Sequence, residues 1–313
     1  MKLIIQIPCY NEAKTLPVTL KDLPKTIKGI DKIETLIVND GSTDGTEEVA
    51  RSLGINHIVT LPKRRGLAYA FKTGLDKAIE LGADIIVNTD GDNQYRGEYI
   101  PQLVAPILEG RADMVIGCRD ISSIKHFSFI KKCLQRLGSY VVRKLSNSNI
   151  PDVTSGFRAY SRECALRINV FSSYTYTLET IIQAGRTGIP ITSIPIMTNE
   201  KLRESRLITS IPSYVVRSIA TIIRIYLLYE PLKFFSRIGT LIIMISFLIG
   251  ARYAYFFMFG AKKGGHIQSL LLGAVLFITG FMIIMIGLLA DIISANRKIN
   301  EDILYRLKKK DIK

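Results

Sequence analysis

Two apolar runs near the C-terminal end limit this chain more than any other feature. Ile238 to Phe259 and Ile267 to Ile293 are almost wholly apolar, and each reaches the roughly 20 residues that a membrane-crossing helix needs. Before Ser236 the chain carries charges throughout, in the manner of a soluble α/β protein. The 313 residues thus divide into a polar part of about 200 residues, enough for one core, and a hairpin suited to lipid. Arg217, Arg224, Lys233 and Arg237 precede the first run, and Arg297, Lys298, Arg306 and Lys308 to Lys310 follow the second. The loop between them carries only Lys262 and Lys263. The positive-inside rule predicts both ends in the cytoplasm and a tight hairpin outside. Arg252 falls near the outer end of the first run, where its side chain snorkels to the headgroups. The net charge of +15 borders the membrane segments, which points to anionic lipid rather than nucleic acid.

The short run Lys2 to Pro8 ends at Asn11 and Glu12 with no cleavage site after it, so no signal peptide is expected and the polar part stays cytoplasmic. Cys9, Cys118, Cys133 and Cys164 form no CxxC pair, as expected of reduced thiols.

Strand and helix patterns alternate through the polar part. Strands are predicted at Leu3 to Ile7, Thr35 to Val38, His57 to Leu61, Asp84 to Asn88 and Met114 to Gly117. Helices are predicted at Asn11 to Leu23 (with Asn11 as cap), Thr43 to Leu53, Gly66 to Leu81, Tyr99 to Glu109 and Phe129 to Leu145. This order implies an α/β fold, a mostly parallel sheet with helices on both faces. Residues 208–235 read as interfacial helices broken near Pro231. The expected division is a catalytic domain at 1–207, interfacial helices at 208–235, two membrane helices within 236–295 and a basic tail at 296–313.

Ligands of such sheets bind at the carboxyl ends of the strands. Three predicted ends are polar and acidic: Pro8 to Glu12, Asn39-Asp40-Gly41 and Asp90-Gly91-Asp92. Two carboxylates one residue apart in a turn suit one Mg²⁺ or Mn²⁺ that keeps positions for substrate phosphates. Gln94 adds an oxygen. Asp40 suits a nucleotide base or ribose. No GKS or GKT follows a glycine loop and no GxGxxG follows the first strand, which argues against a Walker site and against NAD.

Together with Asn39 to Thr46, Asp90 to Gln94 and Thr154 to Tyr160, the Pro8 to Glu12 stretch resembles family 2 glycosyltransferases. The likeness is greatest to dolichyl-phosphate-mannose-synthase-like members, including bacterial polyprenyl-phosphate glycosyltransferases with two C-terminal membrane helices. The resemblance implies a nucleotide-sugar-binding GT-A type, Rossmann-like domain. It implies that Pro8, Tyr10, Glu12 and Asp40 hold the nucleoside, and that Asp90, Asp92 and Gln94 hold the metal and donor phosphates. Arg119 would lie near a donor or acceptor phosphate. Ser155 and Arg158 would belong to the acceptor loop, and Arg203, Ser205 and Arg206 to a basic stretch closing over phosphates. The chain departs from the pattern at Cys9, commonly Thr, and at Gly91, commonly Ala.

Two absences refine the expectation. The chain has no tryptophan, so it lacks the QxxRW motif of processive polysaccharide synthases. Thr180 follows Glu179 where many family members carry the Asp that serves as base. A hydroxyl acceptor needs a base, whereas a phosphomonoester, with its second pKa near 6, is already a nucleophile. The expected activity is inverting transfer of a hexose from UDP-glucose or GDP-mannose to undecaprenyl or dolichyl phosphate. The alternatives are a lipid or lipid-linked saccharide hydroxyl as acceptor, and an inactive membrane-anchored binding module. Expected partners are the nucleotide sugar, the polyprenyl phosphate, the membrane and a second copy of the chain in a homo-oligomer.

Overall fold

In the computed structural model, residues 1–119, 138–144, 146, 148–170, 176–200, 216, 219–220, 223–224, 226–259 and 267–311 are described. The chain forms two compact units: Met1–Ile219 with Leu304–Lys313, and Ala220–Ile303.

The first unit is built on a seven-stranded sheet. Its strands are β1 (Lys2–Cys9), β2 (Lys32–Asn39), β3 (His57–Thr60), β4 (Ile85–Asn88), β5 (Met114–Arg119), β6 (Arg158–Ser161) and β7 (Ile191–Ile196). Their spatial order is β3-β2-β1-β4-β6-β5-β7. Every pairing is parallel except those of β6, which runs antiparallel to both β4 and β5. The helices are α1 (Leu16–Lys21), α2 (Thr46–Ser52), α3 (Leu67–Glu80), α4 (Ile100–Leu108), α5 (Arg162–Arg167) and α6 (Thr177–Arg186).

The inner strands are apolar on both sides, as helix layers on both faces require. Leu3, Ile5, Ile7 and Cys9 of β1 join one core with Leu16, Ala50 and residues Leu103, Val104 and Ile107 of α4. Alternate residues meet α3 on the other face. A Cβ on Gly74 of α3 would lie 2.7 Å from Gln6 Oε1 and 2.9 Å from Val38, so the missing side chain lets that helix approach the sheet closely.

Several expectations move. α1 begins at Leu16 rather than Asn11, because Asn11 sits at φ 56° outside the helical region. β6 and β7 were not foreseen, and Phe129 to Leu145 lies outside the described residues except for a helical stretch at 138–144. Cys9, Cys118 and Cys164 are buried thiols outside any disulfide, and Cys133 lies outside the described residues.

The second unit contains α7 (Pro231–Phe259) and most of α8 (Ile267–Asp311). Among the described residues, these two helices are long and apolar enough to cross a membrane. Pro231 opens α7, a position where a missing N–H costs nothing. α8 continues without a break past Ile293, through the residues read as a tail. The Arg297 Nε donates to Glu301 Oε1 at 2.8 Å, one turn on, and Lys308 to Lys310 favour its carboxyl end. Small residues space the hairpin at seven-residue intervals. A Cβ on Gly239 would stand 2.6 Å from the Gly280 carbonyl oxygen, and one on Gly287 would stand 2.7 Å from Phe235 Cβ. Ser246 Oγ donates to the Gly273 carbonyl at 2.7 Å.

Candidate active site

The parallel pairing brings the carboxyl ends of β1, β2 and β4 to one edge: Cys9 faces Asn39, and Gln6 faces Asn88. Because β6 is reversed, its first residue arrives at the same edge. Arg158 faces Asn88 on one side and Ile116 on the other. Pro8, Tyr10, Glu12, Asp40, Asp90, Asp92, Gln94, Arg119 and Ser155 therefore line a single edge of the sheet, following the strand-end rule.

At the β1–β2 side, Asn11 ties two loops together. Its N–H donates to Ser42 Oγ at 2.9 Å and its Oδ1 accepts from Thr43 N–H at 2.8 Å. Pro8 is buried at the end of β1, and Glu12 is buried as well. Asp40 accepts from the N–H groups of Arg65 at 2.6 Å and Gly66 at 2.8 Å. It thereby fixes the loop that opens α3. Gly41, at φ +67°, has no room for a side chain, since a Cβ would lie 2.7 Å from Arg64 N. The Arg64 guanidinium stands 4.2 Å over the Tyr10 ring, and Arg65 stands 4.7 Å over Tyr69. Both arginines belong to the basic run Lys63-Arg64-Arg65-Gly66 that follows the strand predicted at His57 to Leu61, the one sequence signal that marks them.

The acidic loop after β4 is clamped from three directions. The Gly91 carbonyl oxygen lies 2.8 Å from Thr15 Oγ1 and 3.1 Å from Thr19 Oγ1. Asn199 donates to the carbonyls of Asn93 and Gln94, each at 2.9 Å. Tyr95 OH accepts from Gly156 N–H at 3.1 Å. Within the loop, Gln94 N–H donates to Asp92 Oδ1 at 3.2 Å. The two departures from the family pattern are neighbours in space. A Cβ on Gly91 would lie 3.1 Å from Cys9 Sγ and 3.2 Å from Glu12 Cγ, so a methyl at 91 would press on both side chains.

Among the described residues no three His, Cys, Asp or Glu side chains converge as a closed metal cage. Asp90, Asp92 and Gln94 offer only hard oxygen donors, a set suited to a hard divalent cation whose other positions go to phosphate or water.

Behind the loop, Asn88 Nδ2 donates to the Gly156 carbonyl and to Tyr176 OH, both at 2.8 Å. Its Oδ1 accepts from Gln6 Nε2 at 2.9 Å. Tyr176 stacks on Phe71 with ring centroids 3.7 Å apart. Burial, with the charge of Asp90 adding to it, pushes its phenol well above the ordinary range, so it stays protonated and a donor.

Arg119, at the end of β5, is gripped by Asp152. Its Nε donates to Asp152 Oδ2 at 2.7 Å and its Nη2 to Oδ1 at 3.2 Å. Burial favours a neutral Asp152, but the Arg119 charge and hydrogen bonds outweigh it and hold the carboxyl below its usual range.

Arg158 corrects an expectation. It was assigned to an acceptor loop, yet it begins an inner strand and is fully buried. Nε donates to Ser155 O at 2.7 Å, Nη2 to Val153 O at 2.9 Å, and Nη1 to Thr177 O at 2.8 Å and Thr180 Oγ1 at 2.7 Å. A guanidinium enclosed in this way knits the 153–158 turn to α6. Ser155 is likewise buried, with its Oγ accepting from Phe157 N–H at 3.3 Å. Thr180 is a partner of Arg158 and of the Tyr176 carbonyl. Arg203, Ser205 and Arg206 lie outside the described residues.

The edge is thus acidic after β4 and basic at the start of α3. Residues 4–167 match glycosyl transferase family 2, and the chain belongs to that family. The chain is 29% identical over 218 residues to an undecaprenyl-phosphate mannosyltransferase of Micrococcus luteus, covering 66% of this chain and 88% of the relative. It is 26% identical over 209 residues to a polyprenol monophosphomannose synthase of Mycolicibacterium smegmatis, covering 63% and 77%. Its fold matches glucosyl-3-phosphoglycerate synthase from Mycobacterium tuberculosis, solved with Mn²⁺, uridine diphosphate and phosphoglyceric acid. The TM-score is 0.55 at 20% identity, over 71% of this chain and 78% of that one.

Proposed function

We propose that this glycosyltransferase moves a hexose from a nucleotide sugar, UDP-glucose or GDP-mannose, to a polyprenyl phosphate at the cytoplasmic membrane face, with inversion. The carrying observation is Thr180. The position where a hydroxyl-activating carboxylate would stand is a buried hydroxyl bonded to Arg158 on one side and the Tyr176 carbonyl on the other. A phosphate acceptor dispenses with that base. The names of the Micrococcus and Mycolicibacterium relatives support the same acceptor, and two apolar helices suit an enzyme whose acceptor is confined to lipid.

In this reading Tyr10, Arg64 and Asp40 frame the nucleoside. Asp90, Asp92 and Gln94 would hold Mg²⁺ or Mn²⁺, which when bound neutralises charge developing on the diphosphate leaving group. Arg119 contacts a phosphate at the β5 end. The acceptor oxygen attacks the anomeric carbon from the face opposite the leaving group. The rigid clamp on residues 91–95 keeps both carboxylates in place without reorganisation during the reaction. Arg203, Ser205 and Arg206 retain their proposed part in closing over the phosphates. Residues 1–207 would face the cytoplasm with both chain ends.

The test is transfer by the purified full chain with Mg²⁺ or Mn²⁺, undecaprenyl phosphate and labelled UDP-glucose or GDP-mannose in parallel. The expected product is organic-soluble and labile to mild acid, from one donor. An acid-stable product would instead identify a hydroxyl acceptor. Nucleotide binding with no transfer from any donor would identify a binding module. Asp92→Asn should keep the melting temperature and lose at least ~100-fold in turnover; wild-type turnover in that variant removes the metal assignment.

A further inference from the structure

We propose that Asp152 is a positioning residue, one that holds the Arg119 guanidinium by two of its nitrogens so that the third, Nη1, meets a phosphate oxygen. The inference rests on the reading of Arg119 as a phosphate contact and adds the residue that aims it.

Asp152 is fully buried while Arg119 keeps 17% side-chain exposure at the sheet edge. The pairing is two-pronged, Nε to Oδ2 and Nη2 to Oδ1, the geometry that fixes the plane of a guanidinium as well as its place. Thr154 closes the arrangement. Its hydroxyl donates to Asp152 Oδ1 at 2.8 Å and accepts from Arg119 Nη2 at 3.0 Å. Its N–H also donates to Asp152 Oδ1, at 3.2 Å. Carboxylate, hydroxyl and guanidinium thus form a ring in which donors and acceptors agree. Beneath it lies the Tyr95 ring, 5.9 Å from the guanidinium carbon. Among the described residues no acceptor takes Nη1, so the exposed part of Arg119 retains hydrogen-bonding capacity.

The cost of burying such a pair argues for a directional task. A buried ion pair is rarely more stable than apolar residues of the same volume. Here it sits at the end of β5, on the same edge as Asp90 and Asp92 and not in the sheet interior. The Asp90 charge on the same edge also favours the charged form of Arg119. A lysine at 119 would supply charge without the fork, and an asparagine at 152 would keep the shape while losing the charge-assisted grip.

The experiment is a double-mutant cycle in the full chain, with Arg119→Ala, Asp152→Asn and the pair. UDP and GDP affinity are measured by calorimetry with Mn²⁺, and transfer kinetics with whichever donor and acceptor the wild type uses. Asp152→Asn should lose ~10-fold in kcat/KM, the usual scale for a residue acting through another, and Arg119→Ala should lose more. The double variant should equal Arg119→Ala, because nothing is left to aim. Thr154→Val keeps both charges and should fall between wild type and Asp152→Asn, which serves if Asp152→Asn melts early. Losses that add in the double variant, or a fully active Asp152→Asn, overturn the inference and leave the Arg119 reading standing. An Arg119→Ala variant that binds and transfers as wild type removes both.

Discussion

The edge of the sheet and the apolar hairpin solve the packing of polar backbone by opposite means. At the edge, polar side chains are driven inward and answered one by one. Arg158 meets three carbonyls and a hydroxyl, Asn88 meets Gln6, Gly156 and Tyr176, and Arg119 meets Asp152 and Thr154. In the hairpin the helices bring glycines together, and one described side-chain hydrogen bond crosses between them, from Ser246 to Gly273. In water, apolar burial supplies the drive and hydrogen bonds select one arrangement. Between helices in lipid there is no such drive, and close van der Waals approach takes its place. The first region should therefore suffer most from a lost partner, and the second from an added methyl.

The largest effect expected is that of Arg158→Leu. Removing the guanidinium strands four buried acceptors and opens a cavity, which should cost about 3–5 kcal/mol of catalytic-unit stability. A drop in melting temperature of the full chain in micelles checks it. Retained stability with lost transfer would return Arg158 to the acceptor site.

Smaller than this is a pH effect confined to the polar unit. Glu34 accepts from Lys2 Nζ at 2.7 Å and Lys32 Nζ at 2.6 Å and lies 2.8 Å from His57 Nε2. Burial raises its pKa, but these hydrogen bonds outweigh burial and lower it to about 2. A carboxyl depressed in the folded state stabilises fully above its unfolded value, near 4.5. That contribution is lost as pH falls from there to about 2. Solvent around the exposed Lys32 screens part of this, so the contribution stays at about 1–2 kcal/mol. Urea unfolding between pH 6 and 2 should show the slope, and Glu34→Gln should flatten it. An unchanged slope means that other carboxyls carry acid sensitivity.

These two residues also mark what was legible in the chain. β1, β2, β4 and β5 read directly, because strands buried on both faces form continuous apolar runs that stop at polar turns. Their shared direction was enough to gather Tyr10, Asp40, Asp90 and Asp92 on one edge, while Arg119 came in only through the resemblance to family 2. β6 was hidden because Arg158 heads it, and an arginine signals surface until Val153, Ser155 and Thr177 supply carbonyls that no local pattern announces. β7 was hidden by Pro195 within a short run. α1 was drawn too long because Asn11 had the residue type of a helix cap but serves as a brace between loops. Asp152 left a faint mark, the Asp-Val-Thr spacing in which a carboxylate accepts from the N–H two residues on. The sequence held the turn but not the distant arginine that it grips.

In the hairpin, Gly280→Val should cost about 1–3 kcal/mol, the range of an overpacked contact, since a Cβ there would lie 2.7 Å from Ile243 Cγ1 and 2.8 Å from Gly239 O. Cysteine pairs across Gly239 and Gly280 would report the separation by loss of cross-linking. Unchanged cross-linking and melting would mean that the helices part without penalty, and the contrast with the sheet edge would fail.

The smallest effect separates the two regions most sharply. Ser246→Ala deletes the hydroxyl that donates to Gly273 O at 2.7 Å and leaves the seven-residue spacing of small residues intact. The Gly273 carbonyl keeps its place in helix α8, so the deletion strands no group outright. The expected loss is about 0.6 kcal/mol, the average for such contacts between membrane helices, against several-fold more for Arg158. The measurement is a steric-trap or denaturant titration of the full chain in bicelles, with Gly280→Val alongside. A Ser246→Ala loss as large as that of Gly280→Val would mean that the hairpin is held by its hydrogen bond, as the sheet edge is, and not by contact.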